Sequence, residues 1–337
     1  MENIKTKVEL EEEFYSKPLC LSYSGLNKLL YSPKVYYNHY VLKEREDKTE
    51  AYLIEGKVVH CLLLEDGSFQ DKFIVSPASL PTDNTKKLVD KIFEGIAKTE
   101  NKDVSLQSLS EPILAQLKEI NLHESLKTDD QRLSKVITEE SISYFEFLKQ
   151  RQGKDIIDAD ILKRCTEAVD ALRSNHRICE LLGVYKSEME NVTTFNEIEL
   201  AASAEELGLP VGLKGILDNL RIDHDKKIIY INDVKTTGKT ITDFQETIYF
   251  YRYDMQVAIY NRLVKYVHRA IIEKDWKIIF NFIVIDKYKQ VYAFEVMDET
   301  MERWDSELLT LLEEANWHYQ NRNYNVPYMF AMSQIKL

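Results

Sequence analysis

Residues 215–237, GILDNLRIDHDKKIIYINDVKTT, decide how this chain is read. Two strand-like runs flank a polar DHDKK turn, and a turn centred on Asp225 and Lys226 sets opposite each other residues whose numbers add to 451. Asp218 is then expected across from Asp233, with Cβ atoms roughly 5 Å apart. Like charges at that spacing repel, and a hard divalent cation with oxygen ligands is the natural relief. Lys235 follows Asp233 by two residues, so the period of two along a strand puts both side chains on one face. The hairpin predicts a metal site with an ammonium beside it. The plainer alternative is a surface hairpin with scattered charges, but the cross-strand pairing and the shared face of Asp233 and Lys235 converge on one spot.

Around the hairpin, VTTFNEIEL, WKIIFNFIVI and VYAFEVM are rich in β-branched and aromatic residues and bounded by polar turns. A helix is expected from about Tyr253 to Arg269, between the third and fourth strands, and another from about Glu299 to Asn321. Upstream, Ser22 is a plausible N-cap for a helix carrying Leu26, Leu29 and Leu30, which Pro33 breaks near Ser32 into two short helices. LIEGKVVHCLLLED reads as a helix whose apolar stripe is Ile54, Val58, Cys61 and Leu62, with His60 off its centre. Residues 78–153 are more polar, with helices expected at Lys86–Ala97 and Glu111–Ile120, and a stronger helix is expected from Ile156 to about Leu172. The order is that of an α/β (mixed α+β) fold, a central mixed β-sheet flanked by helices. Its expected parts are a helical N-terminal part (1–77), a helical insertion or lid (78–153), and the core sheet with its flanking helices (154–337), all within one contiguous domain.

The 337 residues carry 44 Lys+Arg against 56 Asp+Glu, a net charge of -12, which argues against a protein that coats nucleic acid generally and leaves room only for a local basic groove. Cys20, Cys61, Cys165 and Cys179 have neither CxxC spacing nor a Cys/His ligand pattern, so four buried free thiols in a reducing compartment are expected. The charged N-terminus has no signal-peptide core, and no stretch approaches the roughly 20 apolar residues of a membrane span. The expected location is the cytoplasm.

A strand acid, then Asp-Val-Lys on the next strand, then Gln256 and Tyr260 as QxxxY on the following helix together resemble the PD-(D/E)XK nuclease superfamily. Within it, LSYSGLNKLLYSPKVYY and the G-x-x-x-H of EGKVVHCLLLE resemble the RecB-like and exonuclease VIII (RecE-like) branch of phage or prophage exonucleases. The likeness covers residues 21–65 and 155–297. It implies that Asp218 and Asp233 bind metal together with the Val234 carbonyl, that Lys235 positions water or stabilises phosphorane charge, and that His60 is a further ligand or phosphate contact. Glu190 resembles the acid heading the first core strand, with Glu188 its competitor. Gln256 and Tyr260, four apart on one helix face, would wall the site. Gly215, lacking a Cβ, would admit a ligand or a neighbouring backbone.

The resemblance implies Mg²⁺ as cofactor, with Mn²⁺ able to substitute, and DNA as substrate, most naturally double-stranded ends in recombination or phage replication. It further implies a ring-shaped homo-oligomer and a single-strand annealing recombinase as partner. Relatives with an iron–sulfur cluster carry cysteines after QxxxY; no cysteine follows Cys179 here and Ser32 stands where those relatives have cysteine, so no cluster is expected. The competing functions are a structure-specific or sequence-specific endonuclease on the same core and a non-catalytic DNA-end-binding or partner-binding module.

Overall fold

Asn219 to Asp223 pair with Asn232 to Ile228 in antiparallel register, their numbers adding to 451 as the turn requires. The computed structural model describes residues 5–44, 51–97, 104–184, 191–272 and 275–333. These fall into two compact units, Met1–Glu50 with Ala168–Leu337, and Ala51–Glu167.

The first unit is built on a six-stranded sheet of β1 (Cys20–Leu21), β2 (Val192–Ala202), β3 (Gly212–Asp223), β4 (Ile228–Thr237), β5 (Lys277–Asp286) and β6 (Val291–Val296). The order is β1-β3-β4-β5-β6, with β2 also on β3. β2, β3 and β4 run as an antiparallel meander, β4 and β5 are parallel, and β6 returns antiparallel on β5. A parallel pair needs a crossover, and here it runs through α3 (Phe244–Tyr251) and α4 (Tyr253–Val267). α4 is buried around most of its surface, because it lies between the sheet and α5 (Asp298–Asn321). Ile229 and Ile231 of β4, Phe280 and Phe282 of β5, Val257 and Leu263 of α4, and Leu308 and Leu312 of α5 share one core. The expected mixed sheet flanked by helices is the fold found. Ser22 caps the helix α1 (Tyr23–Tyr31) by accepting from the Gly25 N–H, and extended backbone at Ser32 separates it from Pro33–Tyr36.

The other face of the sheet carries an unusual core. Asn196, Asn219, Asn232 and Asn281 are cross-strand neighbours on β2, β3, β4 and β5, and their amides link in series at 2.7, 2.7 and 2.9 Å. The Nδ2 groups of Asn219 and Asn232 also donate to the Leu182 and Leu181 carbonyls at 3.1 and 2.8 Å. Those carbonyls end α2 (His176–Leu182), whose last turn has no intrahelical donors for them. The amide row therefore fixes a helix end to the middle of the sheet.

The second unit contains the helix Ala51–Leu64 and the helices Asp83–Ala97, Ser110–Glu119, Asp129–Val136 and Glu139–Gln150. Leu88, Val89, Ile113, Leu117, Phe145 and Leu148 form its own buried core, which the polar composition of residues 78–153 concealed. Residues 155–157 correct the expected helix: Asp155–Ile157 is a strand, parallel to Phe73–Val75. β-branched Ile156 and Ile157 suit it, and the helix begins at Ala159 after Asp158, whose carboxylate accepts from the Ile161 N–H at 2.6 Å.

All four cysteines are free thiols; Cys61, Cys165 and Cys179 are buried, whereas Cys20, on the two-residue strand at the end of the sheet, is only half-buried. Among the described residues no helix is long and apolar enough to cross a membrane.

Candidate active site

The site begins where two strands part. β3 holds β2 along one edge from Leu213 to Asp223, but on its other edge it takes β4 only from Asn219 onward and β1 at Gly212 and Leu213. Residues 214–218 lie in the gap, while β4 continues alongside β5 to Thr237. Backbone groups lining such a gap must find side-chain partners. Asp218 Oδ2 accepts from the Val234 N–H at 2.7 Å, and the Tyr260 hydroxyl donates to the Ile216 carbonyl at 2.7 Å. The register that sets Asp218 against Asp233 thus ends one pair early, at Asn219 and Asn232, and Asp218 turns onto the β4 backbone.

Asp233 is 1% exposed, and both its oxygens are engaged. Oδ1 accepts from Gln256 Nε2 at 2.7 Å, and Oδ2 lies 2.6 Å from Lys235 Nζ. The N–H···O contact from α4 explains why the QxxxY helix matters, since it holds the carboxylate by the oxygen that does not face Lys235. Burial alone pulls the Lys235 ammonium toward neutrality, but the charges of Asp233 and Asp218 and the hydrogen bond to Asp233 outweigh it and push its pKa above the usual lysine value. Nζ also stands 4.6 Å from the centroid of the Tyr253 ring. Lys235 is held as a cation.

Sequence reasoning passed over Glu197. On β2, Asn196 pairs with Asn219 and Ile198 with Leu217, so Glu197 sits opposite Asp218 although that pair is missing from the ladder. Its backbone is left-handed, φ +48°, which costs a non-glycine residue about 1–3 kcal/mol. A carboxylate oxygen of Glu197 and one of Asp218 lie within 4.8 Å of each other. Strain of this kind, spent on bringing two acids together, suits a site that binds a hard cation. The loop from 203 to 211, with its own short helix Ala204–Leu207, set this register, so no turn count could have given it.

Gly215 serves Tyr260 rather than a ligand or a neighbouring backbone. A Cβ there would lie 2.6 Å from Tyr260 Cε1 and 3.1 Å from Cδ1, so the ring packs where only glycine leaves room. Burial pushes the Tyr260 phenol above its usual pKa, the nearby charges of Asp233 and Asp218 adding to the shift, and it stays a donor.

Glu190 and its competitor Glu188 lie outside the described residues. His60 is half-buried on the helix Ala51–Leu64 of the second unit, next to the buried Val59 and Cys61. The first unit brings together Glu197 with Asp218, and Asp233 with Lys235 and Gln256.

A family model described as the PD-(D/E)XK nuclease superfamily matches residues 20–325. Among solved structures, the chain is similar to a candidate exonuclease from Eubacterium rectale, at 13% identity and a TM-score of 0.45 over 95% of this chain and 86% of that one. It is also similar to SSO0001, at 14% identity and a TM-score of 0.23 over 75% of this chain and 96% of that one. At these scores neither likeness carries weight. No curated protein matches the chain.

Proposed function

The chain belongs to the PD-(D/E)XK nuclease superfamily, and from that premise we propose that it is a metal-dependent deoxyribonuclease with its reaction centre at the parting of β3 and β4. The observation that carries this reading is one constellation of acids, a cation and an amide: half-buried Glu197 beside half-buried Asp218, and buried Asp233 clamped between Lys235 and Gln256. The oxygen donors fit a hard divalent ion, with Glu197, Asp218, Asp233 and the Val234 carbonyl as its holders. The Val234 N–H already points at Asp218, and the N–H and C=O of one strand residue share an edge, which favours the carbonyl for that part. Once bound there, Mg²⁺ or Mn²⁺ would neutralise phosphate charge and lower the pKa of a water.

Lys235 supplies the charge that the protein itself brings to the phosphate. A water oxygen joins phosphorus and gives up a proton, the ester P–O bond breaks and the leaving alkoxide takes up a proton to depart as the alcohol; negative charge builds on the non-bridging oxygens as this happens. A preorganised ammonium in a site shielded from water stabilises that charge without reorganising. Asp233 holds Lys235 in place, Gln256 holds Asp233, and Tyr260 locks the β3 backbone at Ile216. His60, which the family resemblance implies as a ligand or phosphate contact, belongs to the second unit.

The substrate proposed is double-stranded DNA with ends, digested exonucleolytically in recombination or phage replication, by a ring-shaped oligomer working with an annealing recombinase. A ring would also reconcile a net charge of -12 with DNA binding, since an acidic exterior can surround a basic channel. The experiment is digestion of end-labelled linear duplex, single strand and covalently closed circle in Mg²⁺. Loss of linear duplex with the closed circle spared supports the exonuclease, cleavage of the circle means an endonuclease, and undiminished cleavage in EDTA rules out the metal.

A further inference from the structure

A run of aromatic rings starts at the half-buried Lys235 and ends in solvent. Lys235 Nζ lies against the Tyr253 ring, Tyr253 stacks on Tyr251 with centroids 5.6 Å apart and planes 22° apart, and Tyr251 meets Phe250 edge to face at 4.9 Å and 86°. Exposure rises along the run: Tyr253 is half-buried, Tyr251 is 41% exposed and Phe250 75%.

The backbone beneath these rings is fixed. Arg252, between α3 and α4, is left-handed at φ +60°, and its guanidinium holds Asp254 through Nε and Nη2 at 3.2 Å. The Tyr251 carbonyl accepts from the Tyr23 hydroxyl and from Asn27 Nδ2 of α1. A strained and well-tethered corner thus displays a phenylalanine that gains nothing from the core. Scattered apolar side chains on a surface need no explanation, but rings stacked in series onto a reaction centre do.

We infer that Phe250 and Tyr251 are a stacking platform for unpaired nucleobases of the strand whose phosphate lies at Lys235. This rests on the nuclease reading above and adds to it a binding subsite with a stated ligand. Every base has a π-face, so aromatic platforms hold single-stranded segments with little regard for sequence. Tyr251 connects through Tyr253 to the lysine proposed to face the phosphate, which puts the flanking bases of that same strand within reach of the platform. Tyr253, with Lys235 on its face, is the step that ties platform to centre. A duplex end would be engaged as a frayed or unpaired terminus.

The test is equilibrium binding of a labelled single strand to the full-length protein, with Ca²⁺ in place of Mg²⁺ to limit turnover, beside the same strand made abasic at its terminal nucleotides. The parent should prefer the base-bearing strand by at least about fivefold. Phe250→Ala with Tyr251→Ala should bind both strands as the parent binds the abasic one, and Phe250→Trp should keep the preference. A parent indifferent to the bases, or a double variant that retains the preference, overturns the platform. If that parent still digests linear duplex, the platform alone has failed; if it neither binds nor cleaves any DNA, the nuclease reading has failed with it. Unchanged base preference joined to loss of self-association in the double variant, read by light scattering, would assign the rings to a second copy of the chain and overturn the platform.

Discussion

Asn232 and Asp233 are neighbours on β4 with side chains on opposite faces of one sheet, and each is at most 1% exposed. Asn232 joins a row of neutral amides that satisfy one another and the end of a helix. Asp233 joins a charged group: its oxygens face an ammonium and an amide, while the backbone beside it at Val234 is held by a second acid. A buried neutral network that is fully satisfied specifies packing and stays chemically quiet, whereas buried charges keep large fields near the gap between strands. The same sheet therefore separates what holds the fold from what is proposed to work on phosphate. Substitutions on the two faces should fail in different ways.

The largest effect is expected on the charged face. Asp233→Ala removes the partner of Lys235 and the buried acceptor of Gln256, and should cost about 3–5 kcal/mol of stability as well as more than about a hundredfold in cleavage rate. Denaturant unfolding together with rates per folded molecule checks both; a variant as active as the parent breaks the comparison at its root. Asn232→Ala should leave Asn219 Oδ1 and the Leu181 carbonyl buried without their donor and cost about 2–5 kcal/mol. Cleavage by the fraction that stays folded should hold near the parent rate, and a loss of activity without loss of stability would erase the division between faces.

Smaller changes sharpen the boundary. Gly215→Ala drives a methyl into the Tyr260 ring and is expected to cost about 1–3 kcal/mol in unfolding experiments; a neutral result would show that Tyr260 is not locked. The smallest effect belongs to a buried titratable group outside both networks. His318 is 3% exposed and stacked on Tyr324, and burial holds its pKa below the usual 6.5 despite the opposing pull of its hydrogen bond with the Asn323 carbonyl. A depressed folded pKa means that the unfolded chain binds the proton more readily, so this contribution is intact above 6.5 and is lost as pH falls below it. His318→Gln should flatten the decline in stability with falling pH below 6.5, and an unchanged slope would remove His318 from the acid response.

The parts legible in the sequence were those set by short-range geometry. The register of β3 on β4 followed from one tight turn, and the helices Tyr253–Val267 and Asp298–Asn321 followed from periodicity. Glu197 escaped because a nine-residue connection with its own helix sets its register and because its backbone is left-handed. The asparagine row escaped for a related reason: asparagine is disfavoured in strands, and only three registers taken together place Asn196, Asn219, Asn232 and Asn281 side by side. The strand Asp155–Ile157 pairs with a segment some eighty residues earlier, a contact no local pattern announces.

Lys235 is proposed to serve a phosphodiester-cleaving centre at the parted strands. Initial rates on end-labelled linear duplex in Mg²⁺, parent beside Lys235→Ala, test it most directly. Cleavage by the parent, abolished in EDTA, and a loss of about a hundredfold or more in the variant are expected. Equal rates for parent and variant would contradict it.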